Sequence, residues 1–548
     1  MSVTSRLAGA VESFREKSDL AVFGLSVATL LAIIVAIVAF SDTAASALGT
    51  ANQFIITNLG WLYLWVVFLS FVFVAYIMIG PWGRIKLGGP DAEPEFTFWQ
   101  YLVMTFTAGL SSGGLEFWGP VEPLIHYGTR PPYFDSSPGT WGRMADALQY
   151  AIYHYGLSAW ATYLVFAVAI SYFVYRKDAP FRPAVILAPF LGTDNLDGPL
   201  GKLVDALAVV ITVSGITVSF GLGISQFASG LSFKWGIGLG QIGRIGLILV
   251  VGALFLLSVI AGIQKGIKRF ADLNVFLLIG LMAAIFAFGQ ATTLVNLTTQ
   301  AMTGYVTDFV GMSLFFAPDG DTTTWLSSWT LFFWPWWLTF APMIGIFMAR
   351  ISKGRTLREL VFAGLFGSFA LTVPWYAATG GSALLLQTSG AADLLGVYES
   401  SGLEAVGFGL FEELLPYPGV FSAALLVLVV SFLITTLDSS TLSIAMMAAG
   451  GDESPSTINR LVWGLMMVLL TIALSLAGGM SVLQSFTILV GLPTAILCAI
   501  AMLGMLIELE REFPVLTESD NEASERSTTA AAAQPSVEQQ QQSAGSDD

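Results

Sequence analysis

The sequence predicts an all-α polytopic membrane protein with twelve transmembrane helices, and three observations carry that prediction. Of 548 residues, 55% are hydrophobic and only 11% are charged, which is more apolar surface than a water-soluble coat can cover. The apolar residues gather into runs of about 20, the length a helix needs to cross the hydrocarbon core. These lie near 20–41, 57–80, 98–118, 146–175, 203–230, 243–263, 273–291, 325–349, 359–388, 416–448, 459–477 and 482–507. With both termini in the cytosol, nineteen of the 23 Lys and Arg residues fall on the inner side, a positive-inside bias that an odd number of spans would scramble.

Residues 1–19 carry both charge signs, and no small-residue cleavage site follows the first apolar run, so they read as a retained cytoplasmic N-terminus rather than a signal peptide. The two spans within 20–80 have few polar residues and read as scaffold. The third differs. FTAGLSSGGLEFWGPVEPLIHYG, residues 106–128, sets Gly109, Ser111, Ser112, Gly113 and Gly114 at mid-membrane and follows them with Pro120 and Pro123. Small residues can serve helix packing, but this density predicts an unwound segment whose backbone faces a cavity. Glu116 follows it at once; a carboxylate inside the membrane is protonated, paired, or part of an ion path.

In the fourth span Tyr155, Trp160 and Tyr163 lie within about 140° of helical arc, so they can line one concave side if Gly156 relaxes the helix. His154 alone reads as a satisfied polar group. The fifth span has no basic residue between Lys202 and Lys234. Residues 292–324 form a polar outer connection, with an amphipathic stretch at TTQAMTGYVTDFVG. The eighth span, WTLFFWPWWLTFAPMIGIFMARISKGRTLREL, concentrates Trp329, Trp334, Trp336 and Trp337, places Pro335 and Pro342 in an apolar run, and turns basic at Arg350, Lys353, Arg355 and Arg358. Indole faces attract quaternary ammonium groups, and prolines mark where intramembrane helices break. The tenth span offers hydroxyl oxygens at Thr435, Thr436, Ser439 and Ser440 and an acid at Asp438. Such residues often bond back to their own helix, yet they also suit a hard cation such as sodium.

Composition narrows the rest. One cysteine excludes an intrachain disulfide, and two histidines leave little material for a metal cluster, so no structural metal is expected. A net charge of -15 suits a surface hydrated in concentrated salt, which points to a salt-loving source. Residues 508–548 form an acidic cytoplasmic tail, without apolar periodicity from about Pro514, and are expected to be disordered. The tail is poorly suited to anionic lipid, and no nucleic-acid partner is expected.

WPWWLTFAPMIGIFMARISKGRTLREL, FWGPVEPLIHY, GIKRFADLN, VPWYAATGGSALLL and FLITTLDSST occur in an order and spacing that resembles the betaine/carnitine/choline transporter family. The resemblance covers about residues 15–508, and the tryptophan-rich segment is its most specific part. It implies a leucine-transporter-type fold in membrane lipid, with two N-terminal helices followed by two five-helix inverted repeats, here 98–291 and 325–507, usually as a homotrimer. It further implies an aromatic box for a trimethylammonium group at Tyr155, Trp160, Tyr163 and Trp337, flanked by Trp336 and Phe340, with Trp334 toward an outer vestibule. A coupling sodium ion would take backbone oxygens near Thr107 and Leu110, the Phe432 carbonyl, and the hydroxyls of Thr435 and Thr436. Tyr155 and Phe340 depart from the tryptophans typical of sodium-coupled betaine carriers.

The resulting expectation is a plasma-membrane symporter that imports a zwitterionic quaternary ammonium solute, glycine betaine above all, with sodium. Proton coupling through Glu116 with choline or betaine as solute, and ion-independent exchange of carnitine-like solutes, are the rivals. A membrane enzyme or receptor has no nucleophile elbow or metal-ligand cluster to support it.

Overall fold

A computed structural model describes residues 3–110, 114–261, 264–316, 320–478 and 480–514, with the backbone alone for 3–7, 107–110, 261, 264–268 and 480. Ser111, Ser112, Gly113 and the tail from 515 therefore lie outside the described residues. Among those described there are helices and turns and no named strand.

The chain begins with α1 (Val3–Glu16), α2 (Leu20–Ala39) and α3 (Ser41–Ile79). Then come α4 (Phe98–Leu110), α5 (Leu115–Thr129), α6 (Trp141–His154), α7 (Leu157–Lys177), the single turn α8 (Ala188–Leu191), α9 (Pro199–Trp235), α10 (Gln241–Ala261) and α11 (Gln264–Phe288). The outer connection holds α12 (Ala291–Ser313). The second half comprises α13 (Gly320–Ser328), α14 (Thr330–Arg350), α15 (Leu357–Phe362), α16 (Ser368–Ser389), α17 (Leu394–Ser401), α18 (Val406–Leu414), α19 (Pro418–Met447), α20 (Thr457–Ala477) and α21 (Met480–Glu512).

Among the described residues eleven helical segments are long and apolar enough to cross a membrane. The twelfth expected span, 98–118, is not one helix. It is divided between α4, of 13 residues, and α5, of 15, each shorter than the roughly 20 a crossing needs. Gly114 explains where α5 begins: its φ of 58° and ψ of 40° lie in the left-handed region that costs an L side chain energy and glycine nothing. Helix 146–175 is also interrupted. Tyr155 leaves the helical path at φ -109° and ψ 6°, and the freed Leu157 N–H donates to the Tyr305 hydroxyl of α12 at 3.0 Å.

The prolines of the eighth span behave otherwise than expected. α14 runs unbroken through Pro335 and Pro342, and the interruption falls before it, at Trp329 with φ -123° and ψ -87°. Buried neighbours on all sides hold the helix together where the proline nitrogens cannot donate. Its basic continuation clamps the ends of other helices: Arg358 Nε donates to Met78 O at 2.6 Å, and Arg355 Nη2 donates to Phe96 O at 2.6 Å. Thr356 and Glu359 form a capping box at the start of α15.

Packing follows a two-fold rule. If α4–α5, α6–α7, α9, α10 and α11 are matched in order with α13–α14, α15–α16, α19, α20 and α21, the main contacts exchange. α14 packs on α7 as α5 packs on α16; α9 meets α20 as α19 meets α10; α9 meets α21 as α19 meets α11. Five crossings are an odd number, so a second set of five enters from the opposite face, which is the pattern of inverted repeats. The α7–α14 seam is close enough that a methyl on Gly345 would sit 2.5 Å from Phe166 Cβ and 3.1 Å from the Ala167 nitrogen.

Candidate functional site

The break at 155–156 decides where the aromatic side chains go. Tyr155 caps α6, while Trp160 and Tyr163 lie three residues apart on α7, on the face that meets α14. Trp337 of α14 comes in against all three, with ring centroids 5.3 Å from Tyr155, 5.8 Å from Trp160 and 5.2 Å from Tyr163. All four side chains are buried. Their rings rest on one another at these distances, so any group that is to sit between their faces must part them. A fifth ring joins from α16, where Tyr376 lies 5.3 Å from Tyr155. The sequence contained it, in VPWYAATGG, but no spacing rule connects residue 376 to residue 155.

Successive tryptophans on α14 point in different directions because each residue turns the helix by about 100°. Trp336 faces away from the box, 6.3 Å from Trp118 and 6.4 Å from Phe340. It lines a cavity between α5, α9 and α19 whose other walls include Gly114, Glu116, Phe220, Phe432 and Thr436. Trp334 packs 5.2 Å from Tyr153 and 5.5 Å from His154, fully buried and outside the box. Phe340 therefore accompanies Trp336 rather than Trp337.

The indole nitrogens of Trp160, Trp336 and Trp337 are buried and have no hydrogen-bond acceptor among the described residues. Indole N–H can only donate, and buried donors left unpaired are uncommon in folded proteins. Of these, Trp160 and Trp337 belong to the box, which thus has π faces suited to a cation and indole donors suited to an anionic oxygen; the buried indoles of Trp118, Trp325 and Trp334, outside it, are likewise unpaired. The amide end of α5, with Glu116 in its first turn, supplies a positive dipole end at the same cavity.

On α19, the Thr435 hydroxyl donates to the carbonyls of Ser431 and Phe432, at 3.0 Å each, and accepts from Asn274 Nδ2 of α11 at 3.1 Å. Ser431 donates to Asn274 Oδ1 at 2.5 Å. Asn274, which the sequence did not single out, is buried and orients this face of α19. The Thr435 oxygen, which also accepts from Asn274, keeps one lone pair for a cation, whereas the Phe432 carbonyl, bonded by Thr435 within a continuous helix, must release that hydroxyl to meet one. Phe432 and Thr436 reach the cavity that Gly114 and Glu116 line. Thr107 and Leu110 stand in the last turn of α4; their side chains lie outside the described residues. The donor set is one a hard cation can use: oxygens, without sulfur or imidazole.

Comparison with known proteins gives the family. The family described as "BCCT, betaine/carnitine/choline family transporter" matches residues 21–514. The glycine betaine transporter OpuD of Bacillus subtilis is 36% identical over 492 residues, covering 90% of this chain and 94% of its own. A probable glycine betaine transporter of Desulfitobacterium hafniense is 34% identical, covering 84% and 91%. The high-affinity choline transport protein of Escherichia coli is 31% identical, covering 91% and 73%. Among solved structures, a manganese transporter mutant of Eremococcus coleocola superposes with a TM-score of 0.39 at 14% identity, covering 76% of this chain and 80% of that one. The match along nearly the whole sequence, and relatives above 30% identity over most of their length, place the chain in the betaine/carnitine/choline transporter family, whose members carry solutes across membranes and are not enzymes.

Proposed function

We propose that the chain imports glycine betaine by sodium symport, as an osmoprotectant carrier of the plasma membrane with both termini in the cytosol, assembled as a homotrimer. The observation that carries the reading is the convergence of Tyr155, Trp160, Tyr163 and Trp337 within 5.2–5.8 Å of ring-to-ring spacing in a membrane-buried position. A desolvated cation on such faces gains about 2 kcal/mol per contact. A zwitterion also needs donors for its carboxylate, and the unpaired indole N–H groups supply that class of partner. Relatives named as glycine betaine transporters support the same solute. Sodium would be held by the Phe432 carbonyl and the Thr435 and Thr436 hydroxyls on α19 with backbone oxygens near Thr107 and Leu110 of α4, at a cavity that the four box rings do not line.

A second reading rests on Glu116. Its place in the wall shared with Trp336 and Thr436 puts a carboxylate where a proton could be coupled to a cationic solute such as choline. The deciding experiment is uptake of labelled glycine betaine and of choline into proteoliposomes. Accumulation only under an inward sodium gradient supports symport. Sodium-independent accumulation driven by a pH gradient, and abolished by Glu116→Gln, supports the rival and refutes the sodium assignment.

A further inference from the structure

The chain contains two histidines, 28 positions apart, and the fold brings both to one carboxylate. We propose that Glu122, His126 and His154 form a binding site for a divalent transition-metal ion, of the class represented by Zn2+, beside the aromatic box.

Glu122 and His126 stand one turn apart on α5, and His154 ends α6. His126 Nε2 lies 3.1 Å from Glu122 Oε1, and His154 Nδ1 hydrogen-bonds to that same oxygen. The three potential ligand atoms lie within 4.8 Å of one another, and all three side chains are fully buried. Ligands at about 2.0–2.2 Å from a tetrahedral ion are themselves a little over 3 Å apart, so the cluster needs only small side-chain adjustments to accept one.

The chemistry of the donor set selects the ion. Two imidazoles and one carboxylate form the three-ligand set that zinc uses when a fourth position stays open. Calcium and magnesium want several oxygens, and this site offers one carboxylate. Outer partners already orient the ligands. Thr330 Oγ1 lies 2.9 Å from His154 Nε2, which turns Nδ1 toward Glu122, and the Tyr376 hydroxyl donates to Glu122 Oε2 at 3.4 Å. Such second-layer contacts fix ring orientation at metal sites. The His126 ring is held instead by aromatic neighbours, with Trp329 at 4.6 Å and Trp325 at 5.0 Å. An ion between these atoms would also neutralise a carboxylate that the hydrocarbon environment otherwise penalises.

The position gives occupancy a consequence for transport. His154 immediately precedes Tyr155, and its ring stacks on Phe333 at 4.8 Å, which lies 5.4 Å from Tyr155. A bound ion would tie α5 to α6 at the edge of the box.

The test uses the full chain, carrying no polyhistidine tag, expressed with Co2+ in the medium and purified with Co2+ in every buffer, so the site can load as the protein folds. The expected result is one cobalt per chain with the intense visible absorption of a four-coordinate ion, displaced by Zn2+. Glu122→Gln keeps an oxygen that can accept from both imidazoles, and His126→Asn leaves the Glu122–His154 bond in place; each should lose the absorption while eluting as the parent does. Substoichiometric cobalt in the parent chain, or a weak six-coordinate spectrum, overturns the proposal whatever the variants do. A spectrum retained in both variants overturns it too.

Discussion

Replacing Trp337 by Ala separates recognition from packing. Trp337 is buried, and its three box partners lie within 5.8 Å. Trp329 is a matched control, also buried, with ring contacts to His126 at 4.6 Å and Trp118 at 5.9 Å, none of them in the box. Truncating either indole should cost stability of similar size, about 3–5 kcal/mol for a buried tryptophan. On the proposed reading only Trp337 of the two offers its face to an ammonium group, and losing about 2 kcal/mol of desolvated cation–π attraction corresponds to about a thirtyfold rise in Kd. The assay is equilibrium binding of labelled glycine betaine to purified protein at saturating sodium, with thermal unfolding of each variant measured in parallel. We expect Trp337→Ala to weaken binding by about thirtyfold and Trp329→Ala by less than about threefold, while Trp337→Phe recovers part of the loss because Phe is a weaker but real π face. Equal losses at 337 and 329, tracking the melting temperatures, would show that the tryptophans act through packing and would refute the box.

Three further outcomes are expected. Thr435→Ala combined with Thr436→Ala should raise the sodium concentration for half-maximal uptake by about thirtyfold, since two oxygens worth roughly 1 kcal/mol each are withdrawn; an unchanged sodium titration places the ion elsewhere. Gly156→Val should lower the melting temperature, because even the first added carbon would lie 2.7 Å from both the Tyr305 hydroxyl and the Ile152 carbonyl, and such overpacking costs about 1–3 kcal/mol; an unaltered melt would mean that the break moves freely. At the start of α2, burial pushes the Asp19 carboxyl up, but the Lys202 ammonium at 3.0 Å and the amides of Val22 and Ala21 outweigh it and hold the pKa below the ordinary value. Its contribution is therefore present above the unfolded carboxylate pKa and lost as pH falls through the lower folded one. Asp19→Ala should cost about 1 kcal/mol at neutral pH, and a difference from the parent that persists unchanged into strong acid would contradict this account.

Hydropathy made most of the fold legible, since a run of apolar residues reports its own burial in lipid. The glycine-rich stretch ending at Gly114 and Gly156 marked where two spans break, but hydropathy could not say which prolines would or what holds a break open. Pro335 and Pro342 invited a break that neighbouring helices suppress, whereas Tyr155 leaves its helix for a reason that sits 150 residues away at Tyr305. The box was readable because Trp160 and Tyr163 share a helix face and the family motif supplies Trp337. Tyr376, Asn274 and the meeting of His126 with His154 were not, because each depends on which helices become neighbours. Glu122 and His126 show the boundary well: their spacing of four predicts a shared face, but nothing local predicts the second imidazole.

The α7–α14 seam, where Gly345 leaves no room for a methyl against Phe166, bears on the energetics of the cycle. Two helices so closely engaged cannot slide past each other, so Trp160, Tyr163 and Trp337 travel as one rigid jaw whichever side of the membrane is open. The backbones that carry these rings then keep one spacing in both orientations, and it is side-chain rotation that must open room between the faces. The same ring faces are then presented on either side of the membrane, and the direction of net flow is left to the gradients of whatever species the cycle carries.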